Sequence, residues 1–82
     1  MGPSTYNNAR VRMDNERSVT INGERQNIQA GATLLDVVRA LRLEPERLAI
    51  ELNRTIVKRN LWETTAVDAG AEIEIVQFVG GG

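Results

Sequence analysis

The first regular pattern along the chain is a two-residue alternation of polar and apolar positions over residues 18–21. Such alternation is typical of a strand with one buried face. The dipeptide Asn22-Gly23 follows directly, and Asn-Gly favours a tight hairpin turn because both of its residues need a positive φ. We therefore expect a first strand that starts near Arg17 and a second strand over residues 24–29, with Ile28 on the buried face.

After residue 32 the apolar residues recur with the spacing of a helix. Thr33 is a suitable N-cap, and Asp36 three residues later can complete a capping box. The stripe expected to face the core is Leu34, Val37, Val38 and Leu41, and the face expected to meet water carries Asp36, Arg39 and Arg42. Pro45 disfavours helical geometry at the residue before it, so the helix should have ended by Leu43.

Three further apolar stretches predict strands. They are residues 48–52, 56–58 and 72–79. In the last of them Ile73 and Ile75 alternate with glutamates, so both isoleucines are expected to face the core. The connection over residues 60–69 is polar apart from one large apolar side chain, Trp62, which we expect to cap the core.

This order of elements predicts the fold class. A strand pair must cover its apolar face, and the predicted helix is the element able to lie across it. We expect an α+β roll in the order ββαββ, with a mixed sheet over one helix and the last strand central, beside the first. The expected divisions are a flexible leader or cloning-derived segment (1–16), the folded domain (17–79) and a flexible glycine tail (80–82).

Composition narrows the possible chemistry. The 82 residues contain neither cysteine nor histidine, which excludes disulfides and thiolate nucleophiles and leaves few zinc ligand sets. Histidine is also the commonest general base, so we expect no bound metal or cofactor and no enzymatic activity. The 10 basic and 11 acidic side chains are interleaved, unlike the basic stripe of nucleic-acid-binding proteins. No stretch approaches the roughly 20 apolar residues of a membrane span, and we expect a cytoplasmic protein.

The chain ends in three glycines, Gly80, Gly81 and Gly82. Glycines at a terminus could be a frayed end or a cloning scar. Here, however, they directly follow the last predicted strand and leave a terminal carboxylate. An ionised carboxylate is a poor electrophile and must be activated, for example as a mixed anhydride with AMP. A tail without side chains can thread a narrow channel to an activating enzyme, so we expect this protein to be presented as a substrate.

The last strand also predicts a docking surface beside the tail. If Ile73 and Ile75 point inward, alternation places Val76 and Phe78 on the outer face. With Val79, these side chains would form an apolar patch that binds the activating enzyme. The alternative is that a twist or bulge turns Phe78 into the core.

The segment after the third strand resembles a known family. The pattern L-N-x-x-x-V-x-R-x-x-W, formed here by Leu52, Asn53, Val57, Arg59 and Trp62, is similar to a segment of the sulfur carrier protein ThiS. Further features that fit in order are the Asn22-Gly23 hairpin, the helix start Thr33-Leu34-Leu35-Asp36, the turn Asp68-Ala69-Gly70 and the ending Val79-Gly80-Gly81-Gly82. The resemblance covers about residues 17–82.

The resemblance implies a ubiquitin-like β-grasp fold and a role in making the thiazole ring of thiamine. It implies that an E1-like, ThiF-type adenylyltransferase uses ATP to adenylate Gly82, which then becomes a thiocarboxylate with sulfur from a donor protein. Gly80 and Gly81 would be the threading tail, and a ThiG-type thiazole synthase would receive the sulfur. Arg59 is expected to be a surface residue that pairs with Glu63.

Other functions remain open at the level of sequence. A molybdopterin-synthase-type sulfur carrier shares the fold and the Gly-Gly ending. A ubiquitin-like modifier would use the same first step but would be joined to lysines of other proteins. In a plain interaction module the glycines would have no chemical role.

Overall fold

The structure, a computed structural model, describes residues 15–79. Within this range one α-helix packs against one five-stranded sheet. The elements are β1 (Glu16–Ile21), β2 (Glu24–Gln29), α1 (Leu34–Ala40), β3 (Leu48–Leu52), β4 (Thr55–Val57) and β5 (Glu72–Gln77), with 3-10 helices at Pro45–Arg47 and Arg59–Thr64. Over the same residues no helix is long and apolar enough to cross a membrane.

The strands lie in the order β2-β1-β5-β3-β4. β5 pairs parallel with β1 and antiparallel with β3, while β1–β2 and β3–β4 are antiparallel hairpins. This topology confirms the predicted α+β roll of the β-grasp type, with a mixed sheet over one helix and the last strand beside the first. Three strands follow the helix in the structure, where the order ββαββ counts two, because the short edge strand predicted over residues 56–58 forms as β4.

Both hairpins turn through two residues that have positive φ. The φ values are 51° and 84° at Asn22 and Gly23, and 52° and 70° at Asn53 and Arg54. The first turn is the predicted Asn-Gly turn. The predicted strands 48–52 and 56–58 leave three residues, 53–55, for the second turn. The turn has only two residues, so β4 starts one residue earlier and covers Thr55–Val57.

The first residue of β1 and the last residue of β5 also differ slightly from the prediction. β1 begins at Glu16, and β5 ends at Gln77 rather than at residue 79. β5 stops there because its partner β3 begins at Leu48, the residue opposite Gln77. Residues 1–14 and 80–82 lie outside the described part of the chain, so the predicted leader and tail stay predictions.

Two asparagine side chains bind the backbone of β5 from opposite edges. Asn22 Oδ1 accepts from the Ile75 N–H at 2.7 Å, and Asn22 Nδ2 donates to the Ile75 carbonyl at 3.2 Å. Asn53 Oδ1 accepts from the Glu72 N–H at 3.0 Å, and the Asn53 N–H donates to the Glu72 carbonyl at 2.7 Å. These contacts continue the sheet pairing where the neighbouring chain turns away, so β5 is held on both sides.

The start of α1 forms as predicted. The Asp36 N–H donates to Thr33 Oγ1 at 3.2 Å, and the Thr33 N–H donates to Asp36 Oδ2 at 3.0 Å, which completes the capping box. The hydrogen bond from the Thr33 backbone is the main reason that the pKa of Asp36 lies below its ordinary value. At the other end the helix stops one residue before Leu41, which is its C-cap.

The core lies between α1 and the inner face of the sheet. Ile73 is buried there and Ile75 is half-buried. Trp62 is only 1% exposed, and its Nε1–H donates to the Val57 carbonyl at 2.8 Å, so its polar group is satisfied as the core is capped. Val67 is also buried, in a segment that the sequence predicts to be polar apart from Trp62.

The prediction that Arg59 pairs with Glu63 is wrong. Both residues are exposed at the surface, as expected, but no ion pair joins them in the described structure. They lie in the 3-10 helix Arg59–Thr64. A 3-10 helix has three residues per turn, so side chains four apart do not lie above each other as they do in an α-helix.

We expect Asn53→Gly to lower the free energy of unfolding by about 1 kcal/mol, because it removes the hydrogen bond to the Glu72 N–H. Glycine adopts positive φ readily, so the turn itself should persist. Arg54→Gly is the matched control, since it makes the same backbone change one residue later and removes only an exposed 3.8 Å ion pair. Urea unfolding compares the two variants, and equal stabilities would contradict the role given to Asn53.

The capping box also predicts a pH dependence. Because folding lowers the pKa of Asp36, its carboxylate stabilises the fold above the unfolded-state pKa, and this contribution is lost as the pH falls through the folded-state pKa. Asp36→Asn should therefore lose less stability than the wild type on acidification through that range. Urea midpoints measured at successive pH values test this, and parallel curves for the two proteins would refute it.

Candidate functional site

The end of β5 is where the predicted tail leaves the described fold. Gln77 is the last residue of β5 and pairs with β3. The next residue still forms a backbone hydrogen bond, from the Phe78 N–H to the Arg47 carbonyl at 2.8 Å. Only Val79 then separates this anchored backbone from Gly80. The tail therefore starts from a fixed point on the domain.

The residues given the central chemical roles, Gly80, Gly81 and Gly82, lie outside the described range. The activated carboxylate of Gly82 and the threading role of the two glycines before it stay predictions. The structure does define the residue that precedes them, since Val79 is 84% exposed and lies two residues beyond the end of the central strand β5.

The outer face of the sheet, the face opposite α1, carries an apolar surface next to this exit. Val76 and Phe78 are each 56% exposed, which agrees with the alternation argument and places Phe78 outside the core. We use the name docking patch for the exposed apolar side chains of Ile56 and Val76 on this face, together with those of Phe78 and Val79 just beyond the end of β5. Partner binding by Val76, Phe78 and Val79 stays a prediction.

Ile56 is a member of the docking patch that sequence reasoning missed. It is 70% exposed, and with Ala49 and Val76 it lines a shallow depression of about 260 Å³. Residue alternation in so short a strand does not specify which face Ile56 takes. That face is specified by the register of the strands, because Ile56 pairs with Glu51 of β3, whose other neighbour is Glu74 of β5.

An acidic row lies on the same face, farther along β5 from the tail. Glu51 and Glu74 are directly opposite each other on β3 and β5, and Glu72 is two residues away on β5. With Arg54 they line a wide depression of about 480 Å³. Arg54 offsets this charge only weakly, because its Nε lies 3.8 Å from the Glu72 carboxylate and both side chains are largely exposed.

Like charges directly opposite each other in a sheet are destabilising. The acidic row is therefore a cost to the isolated domain that a positively charged partner would remove. No group of His, Cys, Asp or Glu side chains within residues 15–79 has an arrangement that could hold a metal ion. The arrangement of the outer face suits a protein partner with an apolar contact area and a basic rim.

Comparison with protein families gives a match over most of the chain. The sequence model of the ThiS family matches residues 19–82 of this chain, a range that includes the three terminal glycines. A protein named ycf40 from Porphyra purpurea, which is uncharacterised, is 35% identical over 65 residues, covering 79% of this chain and 92% of that protein.

Two longer proteins are also similar to this chain. Thiazole synthases from Magnetococcus marinus and Paramagnetospirillum magneticum are each 36% identical to it over 64 residues, or 78% of this chain. The chain spans only about 20% of the length of these two relatives.

A solved structure has the same fold. The crystal structure of the thiamine biosynthesis protein ThiS from Geobacter metallireducens superposes with a TM-score of 0.69 and 26% sequence identity. The match covers 79% of this chain and 99% of that one.

Proposed function

This chain belongs to the ThiS family, and on that premise we propose that it is a sulfur carrier of thiamine biosynthesis. Its Gly82 carboxylate is adenylated, becomes a thiocarboxylate and donates sulfur for the thiazole ring. In this role the protein is a cosubstrate and not a catalyst. The observation that carries the proposal is that the tail begins only two residues beyond Phe78, whose N–H is hydrogen-bonded to the Arg47 carbonyl.

The chemistry acts on the terminal carboxylate. A carboxylate oxygen attacks the α-phosphorus of ATP and displaces pyrophosphate, which gives the acyl-adenylate. A sulfide-level sulfur from a donor protein then attacks the carbonyl carbon and displaces AMP. Both steps need a site that excludes water, because water would hydrolyse the acyl-adenylate. An E1-like adenylyltransferase of the ThiF type provides that site and binds the ATP.

The contribution of this chain is presentation. Gly80 and Gly81 thread into the partner, and their lack of side chains permits a narrow channel. Ordering each tail residue costs about 1–2 kcal/mol. The docking patch offsets this cost by burying apolar surface of Val76, Phe78 and Val79 against the enzyme. The fixed backbone at Phe78 lowers the cost further, because only the residues beyond it must be ordered.

Thiazole synthase of the ThiG type is the proposed acceptor of the sulfur. The support comes from the two similar proteins of that name, which contain a segment resembling this chain within a much longer polypeptide. A carrier and an enzyme that act on each other gain effective concentration when they are joined.

We expect intact-mass spectrometry to show the mass increase of sulfur replacing oxygen at Gly82 after incubation with ATP, a ThiF-type adenylyltransferase and a sulfur donor. Deletion of Gly82 should abolish the increase and also thiazole formation, whereas Arg54→Gly, on the far part of the outer face, should retain the increase.

An unchanged mass would indicate an inert module, and attachment to lysines of other proteins would indicate a modifier. Sulfur transfer to molybdopterin synthase instead of thiazole synthase would point to the other carrier class.

We expect Phe78→Ala to weaken binding to the adenylyltransferase at least roughly fivefold, the effect of losing about 1 kcal/mol of buried apolar contact. Because Phe78 is exposed in the free domain, its free energy of unfolding should change by no more than about 0.5 kcal/mol. Leu61→Ala is the matched control, since Leu61 is 49% exposed but lies in the Arg59–Thr64 helix, away from β5. Calorimetric titration measures the affinities, and equal affinities for both variants would exclude Phe78 from the interface.

A further inference from the structure

A second apolar surface lies on the other side of the sheet, between the edge strand β2 and α1. It is a groove of about 300 Å³, which we call the β2–α1 groove. Its lining includes Ile28, Val37, Ala40 and residues 30–32. Val37 is buried and Ile28 half-buried, so the groove opens directly onto the core. The sulfur-carrier proposal makes no use of this groove.

The described part of the chain begins at one end of the β2–α1 groove. The Asn15 carbonyl accepts a hydrogen bond at 2.7 Å from the N–H of Ala30, which itself lines the groove. Fourteen residues precede Asn15. An extended chain spans about 3.3 Å per residue, so the five residues before Asn15 span about 16 Å.

The residue pattern of this segment matches the groove. In residues 10–14 the two apolar residues, Val11 and Met13, alternate with charged residues. In an extended backbone such alternate residues share one face. The segment thus carries two apolar side chains with the spacing that an apolar groove beside a sheet would accept.

The charges of segment and groove are complementary. Residues 10–14 include two arginines and one aspartate. The groove lining has no basic residue, and its charged member is Asp36, whose pKa is lowered by the capping hydrogen bonds so that it is ionised at neutral pH. A segment with a net positive charge is therefore attracted to this groove.

We propose that residues 10–14 of this chain fold back into the β2–α1 groove, with Val11 and Met13 as its occupants. The groove lies on the helix side of the sheet and the docking patch on the outer face. The segment therefore covers apolar surface near the core while the docking patch and the tail exit remain free for partners. This inference is independent of the proposed function.

The absence of cysteine from the sequence allows a site-specific proximity test on the full chain. A nitroxide on Ala9→Cys should broaden the amide NMR signals of Val37 and Ala40. Replacing both occupants, Val11→Ser with Met13→Ser, should abolish that broadening while it preserves the length and charge of the segment. Tyr6→Ser is the matched control and should leave the broadening intact. Equal broadening with and without the occupants would overturn the proposal, because it would reflect tethering alone.

A change on the groove side provides the second arm of the test. Ala40→Lys introduces a cation at an exposed lining position and should also abolish the broadening, whereas Arg39→Lys, exposed but outside the lining, should not. Neither change removes a buried side chain, so both variants should fold. Broadening retained in Ala40→Lys would argue against this groove as the binding site.

Two other occupants give distinct results. Chain that carries the nitroxide but no ¹⁵N can be mixed with ¹⁵N-labelled chain that carries no nitroxide. Broadening of the ¹⁵N signals would then show that the segment of a second copy enters the groove. Groove signals that are unaffected by the label in the free chain but shift on adding thiazole synthase would show that a partner enzyme binds there. Either result would overturn the intramolecular proposal.

Discussion

Hydrogen bonding along both edges of β5 is the constraint on which the rest of this structure depends. The parallel pairing with β1 extends over only Thr20 and Ile21 before the chain turns at Asn22. The Asn22 side chain then replaces the missing backbone partner of Ile75. On the other edge Asn53 does the same at Glu72. Asparagine suits both places, because it tolerates positive φ and its amide offers a donor and an acceptor as a peptide group does.

A central strand held in this way can present a terminus without being deformed by it. The backbone is paired with β3 as far as Gln77, and the Phe78 N–H bonds the Arg47 carbonyl, so binding at the tail acts on a strand that is held in the sheet up to its end. The outer face beside it combines exposed apolar side chains with the opposed carboxylates of Glu51 and Glu74. Neither feature stabilises the isolated domain. Both fit a surface whose stabilising contacts are made in a complex.

The two proposed interactions use different sides of the sheet. The helix side holds the core, closed by Trp62 and Val67, together with the β2–α1 groove. The outer side holds the docking patch. Because the sheet separates them, a segment bound on the helix side and an enzyme bound on the outer side do not compete for the same surface.

The sequence by itself determined the elements whose signals are local. The Asn22-Gly23 turn, the Thr33–Asp36 capping box and the inward alternation of Ile73 are each encoded within a few residues, and each formed as predicted. Exposure of Val76 and Phe78 followed from the same alternation. The roll itself was predictable because a single helix has to cover the apolar side of the strands.

Only the tertiary structure decided the features that join distant parts of the chain. Ile56 entered the docking patch through the register of β4 on β3, and the acidic row formed through the register of β3 on β5. Val67 became part of the core because its N–H pairs with the Ala32 carbonyl at 2.9 Å. Asn53 marks a turn in the sequence, but its bond to β5 spans 19 residues. Residue periodicity specifies which face a side chain takes within its own strand, whereas cross-strand neighbours depend on pairing between segments far apart in sequence.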